Sequence, residues 1–327
     1  MSLKDEREYR MIEDGLQFDL ARGRWIAAYP WVKPPGELPD NRNVALATLR
    51  STERRLNRDK ERAQVYNKQI EDMVDREAAR KVTERELAEY RGPKYYISHF
   101  EVMNPKSKST PCRIVYNSSA KYQGFSLNDY FAKGPSMLNK LLGVLLRFRK
   151  GKHAFIGDIS KMFHSIDIPL LEQMTHLFLW RNMRADCYPT TYAMTAVNMG
   201  DKPSATIAQI ALRKSAEEAE AEFPQASMIV MESSYMDDIP ASTDSMEQSL
   251  QLTKDIEAIL EPRGFHIKEW IYSGSQTASA IPVKADSEEQ RLMGDEIERV
   301  LGVQWEPGSD ALEFEVNCSM KTATVTK

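Results

Sequence analysis

Two short apolar runs that each end in aspartate constrain this chain more than any other feature. The first is Ala154-Phe155-Ile156-Gly157-Asp158; the second passes from Ala226-Ser227-Met228-Ile229-Val230-Met231 to Tyr235-Met236-Asp237-Asp238. A short apolar run bounded by turn residues reads as a buried strand. Asp158 is therefore expected to close one strand, and Asp237 and Asp238 to sit at the turn of an apolar hairpin. Three carboxylates delivered from neighbouring strand ends make a hard, all-oxygen donor set. Such a set suits Mg2+, which retains water and takes phosphate oxygens as further ligands. Two such ions about 3.5–4 Å apart serve phosphoryl transfer, where the charge of a nucleoside triphosphate must be offset. The Asp-Asp pair alone is weak, since about one is expected by chance in a chain of this length and turns collect aspartates. Its force comes from the Tyr-Met before it and from the second aspartate that ends another apolar run.

Several other chemistries are excluded by spacing. There is no GxxxxGK[ST] loop, no HExxH helix and no GxSxG elbow, and His99, His153, His164, His176 and His266 show no metal-ligand spacing. Cys112, Cys187 and Cys318 are far apart and odd in number, which argues against a disulfide scaffold or zinc knuckle and for a reducing compartment. No run approaches 18 uncharged apolar residues, and the N-terminus has no apolar signal core. Neither secretion nor membrane anchorage is expected. At 327 residues and 42% hydrophobic composition, the chain has room for about two domains with a real core.

The order of elements expected along the chain is mixed. Residues 1–42 carry aromatic and proline punctuation and read as an extended arm. Residues 43–89 read as two amphipathic helices rich in Glu/Arg pairs, suited to packing or a protein partner. After Gly92-Pro93 the runs KYYISHFEV and CRIVYNSS flank NPKSKSTP, as in a hairpin with a cationic tip. Helices are expected at 136–150, about 169–183, 203–223 and about 244–260, then a strand at FHIKEWIYSG and a hairpin around an EPGSD turn. The centre thus reads as a split β-α-β arrangement with an antiparallel sheet and helices on one face.

Charge is unevenly distributed behind the net value of −4. Residues 92–152 hold 11 Lys+Arg against 2 Asp+Glu, whereas residues 214–327 hold 9 against 23. Taken alone, the cationic block is more often a solvated face balancing the acidic part than a phosphate-binding surface.

Tyr235-Met236-Asp237-Asp238 resembles the YxDD motif of reverse transcriptases, and AFIGDISKMFHSI (154–166) resembles the palm strand that carries their first catalytic aspartate. The stretches CRIVYNSSAKYQGFSLNDYFAKGP and LLRFRKGKHAFIGDISKMFHSI are most similar to the BEL/Pao class of long-terminal-repeat retrotransposons. The likeness covers about residues 20–317, including LPDN and the VLGVQW hairpin, with several motifs in order. It implies an α+β fold: the fingers and palm of a right-hand polymerase, with a ferredoxin-like antiparallel palm sheet and an N-terminal helical segment. The implied division is 1–90 arm and helices, 91–150 fingers, 151–317 palm with primer-grip hairpin, and 318–327 tail.

The implied activity is RNA-directed DNA polymerisation, in which a primer 3′-OH attacks the α-phosphate of a deoxynucleotide. Two Mg2+ ions, with Mn2+ as a substitute, would be held by Asp158, Asp237, Asp238 and the Ile159 carbonyl. Phe163, five residues beyond Asp158, matches the aromatic gate that selects deoxyribose; a core aromatic is the alternative. Lys106 and Arg113 match the pair gripping the triphosphate, which accounts for the cationic tip better than a solvated face does. Gly200 in MGDKPSAT matches the glycine of the motif around template and nucleotide. Lys268 matches the residue assisting pyrophosphate departure, with Glu269 competing for the register, and Trp305 lies in the primer-grip hairpin, with a packed edge hairpin as the alternative. Partners would be RNA or DNA primer-template and deoxynucleotides, with no membrane and with a protein partner for helices 43–90. The compartment would be cytoplasm, virus-like particle or nucleus.

The sequence departs from the family pattern at Asn117, where many relatives have aspartate, at Met199, where retroviral enzymes have glutamine, and at Pro240, which a strand tolerates only at an edge or bulge. About ten residues follow the primer-grip hairpin, so a thumb and RNase H domain are expected to be missing and synthesis to be distributive. Two rivals stay open: a non-catalytic nucleic-acid-binding relic or domesticated protein, and an interaction module whose palm is scaffold only.

Overall fold

Strands in this protein are short and gather into sheets of two or three members interleaved with helices, so the fold is mixed α+β. The structure is a computed structural model, described for residues 1–103, 112–274, 298–301 and 303–313, with 298–300 described by backbone alone. The chain divides into two compact units. The first comprises Met1–Met137, Lys161–Ser215 and Leu260–Phe265; the second comprises Leu138–Ser160, Ala216–Ile259 and the described residues from His266 onward. No helix among the described residues is long and apolar enough to cross a membrane.

The first unit begins with more regular structure than its punctuation suggests. Ser2 caps helix Leu3–Asp14 through a reciprocal box with Asp5, whose backbone N–H donates to the Ser2 hydroxyl at 3.1 Å. Strands Leu16–Asp19 and Arg24–Ala27 then form an antiparallel hairpin, and the second strand runs parallel to Ile166–Asp167. Gly23, at φ +62°, permits the turn. The expected extended arm is therefore corrected to a helix and a hairpin followed by an irregular stretch. Asn41 of LPDN ends that stretch, buried, with its amide donating to the Tyr96 carbonyl at 2.8 Å and accepting the Tyr96 N–H at 2.7 Å.

The two amphipathic helices expected at 43–89 are present as Arg42–Leu56 and Lys60–Asp75, the second capped by Asp59, which accepts the Arg62 N–H at 3.0 Å. They bury Leu49, Leu56, Tyr66 and Ile70. Beyond them lie strand Ala79–Lys81 and the short helix Glu84–Glu89. The expected hairpin pairs Ser98–Met103 with Cys112–Asn117, Val102 facing Arg113. Its tip, including Lys106, lies outside the described residues. His99 on this hairpin is enclosed by Tyr66, Tyr116, Phe178 and Trp180. Its Nδ1 faces the Tyr66 hydroxyl at 2.5 Å and its Nε2 the Leu179 carbonyl at 2.8 Å. Burial pushes its pKa down to about 4, which keeps the ring neutral.

One stretch of this unit overturns a helix expected at 169–183. Only Leu170–Gln173 is helical, and Leu177–Trp180 is a strand pairing with Thr190–Met194, which pairs in turn with Ala79–Lys81. The run Leu177-Phe178-Leu179-Trp180 is buried at every position, and a continuous apolar run carries no periodicity to separate strand from helix.

The second unit is built on an antiparallel sheet whose central strand, His153–Ile159, pairs with Asp238–Thr243 on one side and Ile267–Tyr272 on the other. Pro240 lies opposite Ile156 on an edge strand of this sheet, the environment its missing N–H requires. Helices Leu141–Phe148, Pro224–Ser233 and Met246–Leu260 accompany the sheet; the last residue of the third belongs to the first unit. The expected apolar strand before YMDD is instead the helix Pro224–Ser233. Proline at its first position, where no N–H is needed, was the overlooked signal.

Strands Glu298–Val300, Val303–Glu306 and Ala311–Glu313 make an antiparallel meander around the EPGSD turn. Trp305 is fully buried there with Phe148, Ala154 and Ile156, its ring edge-on to Phe148 at 5.1 Å. Its indole N–H donates to Asp310 at 2.9 Å. On the other side of the central strand, the Gly157 Cα stands against Trp270, where a β-carbon would come within 2.5 Å of the indole. Trp270 is also tied by its N–H to Glu257 at 3.0 Å, so the ring has little freedom to yield. Gly157→Ala is expected to cost about 1–3 kcal/mol through overpacking, measured by urea denaturation; an unchanged midpoint would contradict this packing.

Candidate active site

The carboxylates singled out in the sequence meet through strand register. Asp238 is the direct partner of Asp158 across the antiparallel pair Asp238–Thr243 and His153–Ile159. Side chains of facing residues in such a pair share one side of the sheet, so these two carboxylates emerge together. Asp237 precedes the strand at the exposed end of a tight turn. That turn is closed by the Tyr235 N–H donating to the Asp238 carbonyl at 2.8 Å and the Asp238 N–H donating to the Tyr235 carbonyl at 3.2 Å. The Ile159 N–H donates to the Asp237 carbonyl at 2.7 Å, fastening the turn to the end of the central strand.

Met236 occupies φ +55° at the first central position of the turn. A side chain there is disfavoured and persists only where the surroundings hold it. The holding groups are visible. Asn139 donates from its amide to the Met231 and Ser234 carbonyls at 3.0 and 2.9 Å, and Ser234 donates to the Val230 carbonyl at 2.6 Å. Arg147 donates to the Ser233 hydroxyl at 3.1 Å and also to the Glu232 carbonyl. The Val230, Met231 and Glu232 carbonyls at the end of helix Pro224–Ser233, where partners within the helix run out, thereby gain side-chain donors, and the chain enters the turn from a fixed point. Asn139 and Arg147 are functional candidates that sequence reading missed, because nothing local marks a side chain that acts 85 to 95 residues away.

Electrostatics agrees with the register. Burial first, then the neighbouring Asp237 and Asp158 carboxylates, push Asp238 up to about 7. The three acids therefore repel one another across a partly buried surface, a charge concentration that a cation would relieve. Among the described residues, no group of three or more acidic, histidine or cysteine side chains converges tightly enough to hold a metal ion by itself. The donors fit a hard cation bound by one or two carboxylates and completed by water and phosphate oxygens; they do not make a closed cage. Ile159 is buried in the central strand beside them.

The remaining sequence candidates fall in either unit. In the second unit Lys268 is exposed and pairs with Glu269 at 3.1 Å, so both contenders for that register stand together. Trp305 is a core residue there, and the packed hairpin weighed as its alternative describes its side chain. In the first unit Arg113 is exposed on strand Cys112–Asn117, and Phe163 is half-buried in the short 3-10 turn Met162–Ser165. Gly200 lies against the hairpin: a β-carbon would meet the Tyr116 carbonyl oxygen at 2.1 Å, so only glycine fits.

The raised pKa of Asp238 ties stability to pH with a definite sign. Between about pH 4 and pH 7 the native state retains a proton that the unfolded chain releases, so stability falls as pH rises through that window. In chelator, Asp238→Asn is expected to melt above the parent at pH 8, with the difference shrinking as pH falls from about 7 toward about 4. Thermal denaturation across this range tests it, and a pH-independent difference would contradict the proposed repulsion.

No family model matches the chain, and no curated protein matches it. Among solved structures it is similar to the foamy viral protease-reverse transcriptase dRH in complex with ds DNA, at 19% identity and TM-score 0.44, over 61% of this chain and 29% of that one. It is also similar to the foamy viral protease-reverse transcriptase in complex with RNA/DNA hybrid, at 18% identity and TM-score 0.44, over 61% and 22%. For the native Prototype Foamy Virus Protease-Reverse Transcriptase the values are 15%, 0.41, 61% and 22%. The chain spans less than a third of the length of each of these proteins.

Proposed function

We propose that this chain is the polymerase portion of a reverse transcriptase of the BEL/Pao type, an RNA-directed DNA polymerase that adds deoxynucleotides to a primer 3′-OH on an RNA or DNA template. The observation that carries the reading is the facing register of Asp158 and Asp238, with Asp237 at the exposed end of the Tyr-Met-Asp-Asp turn. In this reading the sheet of the second unit is the palm core, and the hairpin Ser98–Met103 with Cys112–Asn117 belongs to the fingers.

Asp158, Asp237 and Asp238, with the Ile159 carbonyl, would hold two Mg2+ ions. Bound Mg2+ would lower the pKa of the attacking primer hydroxyl and offset charge on the departing pyrophosphate. The chain's own residues orient the reactants. Arg113 and Lys106 would grip the triphosphate, Arg113 by bidentate contact, while the Phe163 ring would lie under the sugar and exclude a 2′-hydroxyl. Gly200 would let the backbone approach template and nucleotide, and Lys268, released from Glu269, would donate to the leaving group. With its indole buried, Trp305 would leave primer contact to the hairpin backbone.

A second reading, a non-catalytic nucleic-acid-binding relic, is favoured by one observation: no three-ligand group is preassembled among the described residues. Primer extension on an RNA template separates the two. With Mg2+ and deoxynucleotides the parent is expected to extend the primer, and the Asp237→Asn, Asp238→Asn double variant is expected to lose at least about 1000-fold in rate, the scale of lost charge stabilisation at such centres. A folded parent that binds primer-template and extends nothing would favour the relic.

A further inference from the structure

Lys202, Asp201, Gly200 and Met199 form a loop whose residues divide into an anchored set and a displayed set. Asn198 and Asp201 are buried, while Met199 is 71% exposed and Gly200 is exposed. A loop that turns a methionine outward while burying a carboxylate spends its polar contacts on holding that display, because a buried charge is tolerated only when it is paired and hydrogen-bonded.

The carboxylate of Asp201 is gripped on both oxygens. Its Oδ1 accepts from the Ser118 hydroxyl and from the Asn198 amide at 2.9 Å. Its Oδ2 accepts from the Tyr29 hydroxyl and faces His176 Nε2 at 3.3 Å. Tyr29 is fixed in turn by stacking on His176 and Phe131, with ring centroids 4.5 and 4.7 Å apart. The Asn198 N–H donates to the Tyr29 oxygen at 3.3 Å, and Ser204 donates to the Asn198 carbonyl at 2.6 Å.

From the side, Asn128 reads the loop's backbone as a strand would. Its Nδ2 donates to the Gly200 carbonyl at 3.0 Å and to the Ser119 hydroxyl at 2.8 Å, and its Oδ1 accepts the Lys202 N–H at 2.8 Å. The Lys202 ammonium donates to the Phe131 carbonyl at 2.8 Å. All these groups belong to the first unit. They come from four separate stretches of chain, so the loop is specified by contacts of long range and has little intrinsic shape of its own.

We propose that Asn128 and Asp201 are positioning residues that preset the Met199-Gly200 backbone for the incoming deoxynucleotide and its templating base, with Tyr29, Ser118 and His176 as the support of Asp201. This rests on the polymerase reading, which assigns Gly200 to nucleotide and template. The clamp raises affinity by removing loop disorder before binding, and it takes no part in bond making. Its loss therefore appears in KM for deoxynucleotide and leaves kcat in place.

Two variants test this while sparing the fold. Asn128→Asp keeps the acceptor for the Lys202 N–H and removes the donor to Gly200 and Ser119; Tyr29→Phe keeps the stacked ring and removes both a donor to Asp201 and the acceptor for the Asn198 N–H. Hydrogen exchange across 198–204 is expected to speed up at least about tenfold in both variants, the scale of one lost hydrogen bond, with the second unit unchanged. KM for deoxynucleotide in primer extension should rise about tenfold with kcat within about twofold. Unchanged exchange in both variants overturns the inference, as does a loosened loop with unchanged KM. If the parent extends no primer, the polymerase reading fails separately, and the inference is decided on deoxynucleotide affinity for the complex with a dideoxy-terminated primer. Weakening in both variants supports it, and equal affinity, or none in the parent, overturns it.

Discussion

The pairing of Asp238–Thr243 with His153–Ile159 is the interaction on which the candidate site depends. Side chains alternate between the two faces of a sheet, so a slip of one residue would send Asp238 to the face opposite Asp158. The Ile159 N–H on the Asp237 carbonyl opposes such a slip by closing the ladder at the end where the carboxylates stand. Pro240, which cannot serve in an interior strand, keeps the pair at the sheet's edge, and on the other side of the central strand Gly157 seats Trp270 of Ile267–Tyr272.

Strain and charge are concentrated at that same end. Met236 is held at positive φ, and Asp238 is driven up by burial and by its two acidic neighbours. Neither condition is favourable alone. Both are maintained by the helix end that Asn139 and Arg147 tie down, so part of the unit's packing free energy is spent on an unfavourable local arrangement. That pattern is expected of a functional site and unexpected of a plain turn.

What was legible in the sequence follows the range of the interactions. The strand carrying Asp158, which runs on to Ile159, the two helices from Arg42 and the hairpin flanking 104–111 are encoded by local pattern, and the structure has them. The edge position of Pro240 followed from its missing N–H. Continuous apolar runs misled: Leu177–Trp180 is a strand and Pro224–Ser233 is a helix, each against expectation, because a short unbroken apolar run carries no period that distinguishes the two. In the candidate site, the three aspartates were found because they lie at or beside the boundaries of local elements. Asn128, Asn139, Arg147 and Asp201 were missed because their partners lie 72 to 95 residues away or on several stretches at once. Trp305 shows the converse: a motif position whose side chain the core has taken.

The central claim is that Asp158, Asp237 and Asp238 form a cation-dependent polymerase centre completed by its substrates. Electron paramagnetic resonance titration of Mn2+ against the chain, with a dideoxy-terminated primer on an RNA template and the next deoxynucleotide, tests it most directly. The account predicts two bound ions in the complete complex, weak binding without nucleotide, and loss of both in a chain carrying Asp158→Asn and Asp238→Asn. Equal Mn2+ binding by the parent and that variant would contradict it.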